Sequence, residues 1–219
     1  MTMKTDLQLQ KDVTTELNWE PSVNAAQLAV EVKDGIVTLA GNVDSYAEKW
    51  DAEHAAQRVT GVRALAIEID VVLRGTSERN DADIARSAEN VLQWTTALQR
   101  DSVRVMVENG CITLSGAVDW DYQRQAAEAA VRYLKGVTGV SNQIAIAPKT
   151  MMNTIKADIE AALKRRAHDD AQQLSVTIEG SSVTLQGAVH SWSERNLAMH
   201  SAWGTPGVRD VVDKMTVVY

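Results

Sequence analysis

Apolar residues in the first third of the chain follow two spacings, one typical of helices and one typical of strands. Leu9, Val13 and Leu17 recur at every fourth position, which predicts a helix with one buried face. Apolar and polar residues alternate at 28–32, 37–43 and 65–71, which predicts three strands buried on one side. A second helical stripe lies at 52–59. The predicted order is therefore helix, strand, strand, helix, strand.

This order occurs three times along the chain. The segment 34–41 recurs at 109–116 and, with a serine in place of its first glycine, at 180–187. In each copy a Gly-Val pair follows the last glycine by 20 residues, and such fixed spacing indicates repeated modules. We therefore expect an α+β fold of three tandem αββαβ modules at 1–75, 79–148 and 150–219. Each would form a three-stranded mixed sheet with two helices on one face, and Ile159 and Leu163 mark the first helix of the third module.

The repeated glycines are interpreted as structural. Two of them suit the tight turn between the first two strands, because glycine accepts a positive φ. Those ending the second strand occupy the core-facing side, where we expect a helix to approach closely. The set comprises Gly35, Gly41, Gly61, Gly110, Gly116, Gly136, Gly187 and Gly207.

Composition excludes several classes of protein. The net charge of −7 is unfavourable for nucleic-acid binding, which depends on clustered lysine and arginine. Cys111 is the sole cysteine, so an intramolecular disulfide and a cysteine-based metal site are excluded. No apolar run is long enough to span a bilayer, and residues 1–11 are polar rather than signal-like. We expect a cytoplasmic protein, or a periplasmic one if a leader has been removed.

Catalytic and metal-binding patterns are not evident in the sequence. The histidines His54, His168, His190 and His200 are scattered without the spacing of a zinc site. The serines show no nucleophile-elbow pattern with a histidine and aspartate partner. We therefore expect a protein that is not an enzyme, with no catalytic residue, no metal site and no cofactor.

The aromatic residues provide the candidate contact site. Phenylalanine is absent, whereas there are six tryptophans and four tyrosines. Tyr46, Trp120 and Trp192 fall at or beside the same position, where the second helix of each module begins. Such amphipathic rings suit a phospholipid headgroup zone or a protein interface, and equally suit packing against a neighbouring module. Three cations share a nearby helix position and are candidates to meet a phosphate: Lys49, Arg124 and Arg195.

These motifs resemble the BON (bacterial OsmY and nodulation) domain. The resemblance rests on a V-x-V strand, a G-x-V-T-L-x-G hairpin strand and a G-V-x-x-V ending. In the second copy these are Val105-x-Val107, Gly110 to Gly116 and Gly136-Val137 with Val140, followed by the family's usual asparagine, Asn142. Copy one has Ile67 at that place and copy three has Asp213. That asparagine is therefore not essential in every module.

The resemblance implies a binding module rather than a chemistry. It implies a stress- or envelope-associated protein that binds phospholipid surfaces, and tandem copies would gain avidity. Two alternatives stay open: an intracellular protein-interaction scaffold, and a sensor of a small ion or ligand. The sequence leaves the oligomeric state and the orientation of the modules undetermined.

Overall fold

The computed structural model describes residues 4–75, 79–147, 174–205, 208 and 210–218. The first module contains α1 (Asp6–Trp19), a short 3-10 turn (Ala25–Gln27), β1 (Leu28–Lys33), β2 (Ile36–Val43), α2 (Tyr46–Arg58) and β3 (Ala64–Val71). The second contains α3 (Asp81–Trp94), β4 (Val103–Glu108), β5 (Cys111–Val118), α4 (Asp121–Arg132) and β6 (Gly139–Ile146). The third contains β7 (Leu174–Glu179), β8 (Ser182–Val189), α5 (Trp192–Trp203) and β9 (Asp210–Val217). The helix predicted around Ile159 and Leu163 lies outside the described residues, as does Gly207.

All three sheets have the same mixed topology. The second strand of each module is central, antiparallel to the first and parallel to the third. The parallel step crosses over through the second helix, which is the connection that a strand–helix–strand order permits. The predicted α+β fold of repeated modules with three-stranded mixed sheets is confirmed.

The helices of each fully described module cover one side of its sheet. In the first module Leu9, Val13 and Leu17 of α1 are at most 2% exposed and belong to the same core as Leu39 of β2. Three alanines of α2 complete this core: Ala52, Ala55 and Ala56. Alanine at these positions allows the helix to lie close to the sheet. The second module repeats the arrangement with its own core.

A carboxylate at the start of the first helix holds the hairpin turn. In the first turn Asp34 and Gly35 both have positive φ, of 52° and 75°, as a type I′ turn requires. The two Asp6 carboxylate oxygens accept hydrogen bonds from the backbone N–H groups of these residues at 2.8 and 2.9 Å. Asp81 holds the second turn in the same way, at 2.9 Å to both N–H groups. The helix and the hairpin are thus joined by charge-assisted hydrogen bonds that sequence patterning did not indicate.

The glycines near the end of the second strand, Gly41 and Gly116, have a different neighbour from the one expected. A Cβ atom on Gly41 would lie 2.2 Å from the Gln27 carbonyl oxygen, and one on Gly116 would lie 2.2 Å from the Ser102 carbonyl oxygen. Both glycines also have positive φ, of 139° and 123°. The close approach therefore comes from the backbone entering the first strand rather than from a helix, and the expectation of a helix contact was wrong.

Candidate functional site

The second helices of the three modules contact one another in a cyclic order. The Arg132 guanidinium of the second module lies 3.4 Å from the Trp50 ring centroid of the first. Gln125 Nε2 of the second module is 3.1 Å from His200 Nδ1 of the third. Asn196 of the third module then donates a hydrogen bond to Gln57 of the first, over 3.3 Å. The third module thus returns to the first, and we call this arrangement the module ring.

Most of the contacting positions are equivalent between modules, although His200, the partner of Gln125, corresponds to His54 of the first module. The repeat shifts of 75 and 71 residues place Trp50, Gln125 and Asn196 at one helix position. They place Gln57, Arg132 and Trp203 at another, and Trp203 lies under the Arg124 guanidinium at 5.0 Å. Each module therefore presents one face to the next module and the complementary face to the previous one. Related heterologous contacts therefore join the three modules in a closed order.

Two of the three predicted aromatic residues lie between modules. Tyr46 packs against the core of the second module, to which Val140 also belongs. Burial at this position raises the pKa of Tyr46, and the nearby Glu128 carboxylate raises it further. Trp192 packs in the same way against the core of the first module. Tyr46 and Trp192 are equivalent, so each acts as the anchor of one module on its neighbour.

Trp120 lies one residue before the anchor position of the second module. Its backbone N–H bonds to the Gln123 side chain at 3.0 Å, and its ring is half-buried. The residue equivalent to the anchors is Asp121, which is only 2% exposed and forms an ion pair with Arg124. The second module therefore has a buried carboxylate, paired with a partly exposed arginine, at the position where the other two have an aromatic ring.

The three predicted cations make contacts within the chain. Lys49 donates a 2.7 Å hydrogen bond to the Ile69 carbonyl oxygen. Arg195 is 2.7 Å from the Asp213 carboxylate and lies over the Trp192 ring at 4.8 Å. Arg124 forms the ion pair with Asp121 described above. All three stabilise the second helix or its interface, and a phosphate contact by these groups stays a prediction.

Arg132 is the most buried cation at the ring interfaces. It is 8% exposed, and its nearest carboxylate is that of Glu128 at 3.4 Å. The His54 ring also stacks on Trp50, with centroids 3.5 Å apart and planes inclined by 23°. A desolvated cation over an aromatic face contributes about 2 kcal/mol, which helps offset the cost of burying this charge. The cluster thus explains why an arginine is stable between the first two modules.

Two tryptophans that the repeat analysis did not single out are the most exposed aromatic side chains in the described part of the chain. Trp19 ends α1 and Trp94 ends α3, 75 residues later, so the two are equivalent. Their exposed fractions are 80% and 85%. Trp19 lies two residues after Leu17, on the opposite side of the helix from the buried stripe. The two tryptophans could have been identified from the sequence by comparing the last residue of the first helix between modules and noting that it lies away from the buried face.

The described residues show no arrangement typical of a metal centre or a membrane span. Within those residues no three histidine, cysteine, aspartate or glutamate side chains are grouped to hold a metal ion. Likewise, no helix of the described residues is both long and apolar enough to cross a bilayer.

Comparisons with known proteins place every module in one family. The family model described as BON domain matches residues 5–77, 80–148 and 153–219. Osmotically-inducible protein Y of Escherichia coli (strain K12) is 26% identical over 129 residues, which cover 56% of this chain and 63% of that protein. The match therefore spans less than two thirds of that relative.

Two solved structures also match at low similarity. The C-terminal domain of CdsD, the structural protein of the Type III secretion system of Chlamydia trachomatis, is 12% identical with a TM-score of 0.27. That match covers 99% of this chain and 100% of that one. The PrgH periplasmic domain is 13% identical with a TM-score of 0.20, over 88% of this chain and 96% of that one.

Proposed function

The chain belongs to the BON domain family through all three modules, and on that premise we propose a non-enzymatic, osmotic-stress-related protein that associates peripherally with phospholipid surfaces. The similarity to osmotically-inducible protein Y supports the stress role. The repeated modules support a binding role, because linked weak sites gain strength through effective concentration.

The observation that carries the lipid proposal is the equivalent exposure of Trp19 and Trp94. Tryptophan prefers the headgroup level of a bilayer, where its ring is partly desolvated and its N–H still finds acceptors. Trp19 and Trp94 each end the first helix of a module, and repetition of such an exposed ring allows more than one contact with the same surface. The net charge of −7 favours aromatic insertion over general electrostatic attraction as the source of affinity.

Co-sedimentation of the full chain with phospholipid vesicles tests this proposal. We expect binding to both neutral and anionic vesicles that survives physiological salt, because aromatic insertion is not screened. The double variant Trp19→Ala/Trp94→Ala should lose most of this binding. The matched control is Tyr122→Ala/Tyr133→Ala, which removes two exposed rings without an aromatic equivalent in the other modules.

Each outcome of the vesicle experiment has a defined meaning. Loss of binding in the tryptophan variant, with retention in the tyrosine variant, supports the proposed contact. Equal binding by both variants would show that the tryptophans are not the lipid contact. An absence of vesicle binding by the unmodified protein under every condition would refute the lipid proposal and favour the protein-interaction alternative.

A further inference from the structure

The second module contains a cationic cleft beside its first helix. The cleft has a volume of about 440 Å³ and lies between the N-terminal half of α3 and the turn that follows α4. Its lining comprises Arg79, Asp83, Arg86, Ser87, Asn90, Leu134 and Lys135. Three of these side chains are cations and one is a carboxylate, in a protein whose overall charge is negative. The local excess of positive charge is therefore opposite in sign to the whole chain.

The side chains of this cleft have the chemistry that binds phosphate oxygens. Arg86 lies 3.1 Å from the Asp83 carboxylate, and this exposed pair leaves other guanidinium N–H groups available. Lys135 is exposed and supplies three donors, and the exposed Asn90 amide supplies two more. Guanidinium and ammonium groups bind phosphate through charge-assisted hydrogen bonds. The cleft thus combines two kinds of cation with neutral donors.

The first module provides an internal comparison for this cleft. There Asp12 stands in place of Ser87 and Thr60 in place of Lys135. Two cations remain at the equivalent positions, Lys4 and Lys11, and Lys4 is held by the Asp12 carboxylate at 2.6 Å and by the Thr60 carbonyl oxygen at 3.1 Å. In the first module the carboxylate therefore neutralises the lysine from within. The second module has its carboxylate at Asp83, where the first has Gln8, and it has one additional cation, Lys135.

We propose that the cleft of the second module binds an ionised phosphate group. The group is carried either by a small soluble molecule or by a phospholipid head. If a soluble molecule carries the phosphate, its binding is a function beyond the proposed association with lipid. If a phospholipid carries it, the cleft is part of that lipid contact, and the inference then rests on the proposed function. Asn90 and Trp94 are four residues apart on one face of α3, and Arg86 precedes Trp94 by about 12 Å along the helix. A lipid phosphate in the cleft would therefore lie near the exposed tryptophan.

The test compares the full chain with a variant in which two cleft residues are replaced by those of the first module. Ser87→Asp/Lys135→Thr alters two exposed side chains, so the fold is retained. Both proteins are titrated with inorganic phosphate and with glycerol 3-phosphate, followed by backbone amide chemical shifts. We expect saturable shifts in residues 79–90 and 134–136 of the unmodified protein. The variant should bind about tenfold more weakly or worse, because one cation is lost and one anion is added.

A second arm identifies the source of the phosphate and separates this inference from the lipid proposal. Vesicles with anionic phosphatidylglycerol are compared with neutral phosphatidylcholine for the unmodified chain, the cleft variant and Trp19→Ala/Trp94→Ala. If the tryptophan variant still binds soluble phosphate but no longer binds vesicles, the result supports a soluble ligand. Weaker binding of the cleft variant to both vesicle types supports the lipid source. Equal behaviour of the cleft variant and the unmodified chain toward soluble phosphate and both vesicles would overturn the inference.

Discussion

Replacing Trp192 by alanine removes the side chain that anchors the third module on the core of the first. A fully buried tryptophan loses about 3–5 kcal/mol on truncation to alanine. Because Trp192 is only partly buried, we expect roughly half of that, about 2 kcal/mol, in the docking of the two modules. A loss of this size shifts the balance between the closed and open ring about 30-fold.

The assay compares native-state hydrogen exchange of Trp192→Ala with that of Trp94→Ala. The control removes the same side chain from a site that is 85% exposed, so its contribution to packing is small. In Trp192→Ala we expect faster exchange in α2 and α5, whereas the core strands of the second module stay protected. Small-angle scattering should show a larger radius for this variant alone.

Trp192→Phe refines the same test. The Trp192 indole nitrogen is buried without a hydrogen-bond partner in the described part of the chain. Phenylalanine keeps most of the apolar contact and has no polar group to leave unpaired, so we expect a smaller loss than with alanine. If Trp192→Ala and Trp94→Ala had the same exchange rates and the same radius, closure of the ring through this anchor would be refuted.

Three further predictions concern single contacts. Gly116→Ala should lower the free energy of unfolding, measured in urea, by at least about 2 kcal/mol more than the control Gly180→Ala does. Of these two substitutions, only Gly116→Ala places a Cβ atom against a carbonyl oxygen. Asp81→Ala should cost about 1–3 kcal/mol in thermal unfolding, since two backbone N–H groups of the hairpin lose their acceptor. Burial raises the pKa of Tyr46, so its stabilising contribution is complete below about pH 10 and is lost as the pH rises through the folded-state value. Tyr46→Phe should remove this alkaline loss of stability, whereas an unchanged pH profile would contradict it.

Much of the fold follows from local pattern in the sequence. The fourfold spacing of Leu9, Val13 and Leu17 predicts α1 because a helix repeats every 3.6 residues, and these residues form its buried face. The Asp34-Gly35 pair predicts the hairpin because both residues take positive φ there. These features depend on neighbours in the chain, so one sequence is sufficient to read them.

The candidate site depends on contacts between distant parts of the chain. Tyr46 meets Val140, and Asn196 meets Gln57, across separations that no local spacing records. The sequence indicated that the second helices carry amphipathic rings at a shared position, but it left open what they contact. The exposure of Trp94 depends on how α3 lies on its sheet, which a single helix pattern indicates only indirectly.

The three interfaces of the module ring differ in chemistry although their positions are equivalent. Tyr46 anchors the first, the buried Asp121 carboxylate with its partner Arg124 occupies the second, and Trp192 anchors the third. Three similar modules on one chain risk pairing in the wrong order during folding, or exchanging with modules of another molecule. A carboxylate cannot replace an aromatic ring in an apolar recess without leaving an unpaired charge. Because the three anchors differ, each module packs favourably against its own neighbour and poorly against the others. This difference favours correct assembly within one molecule.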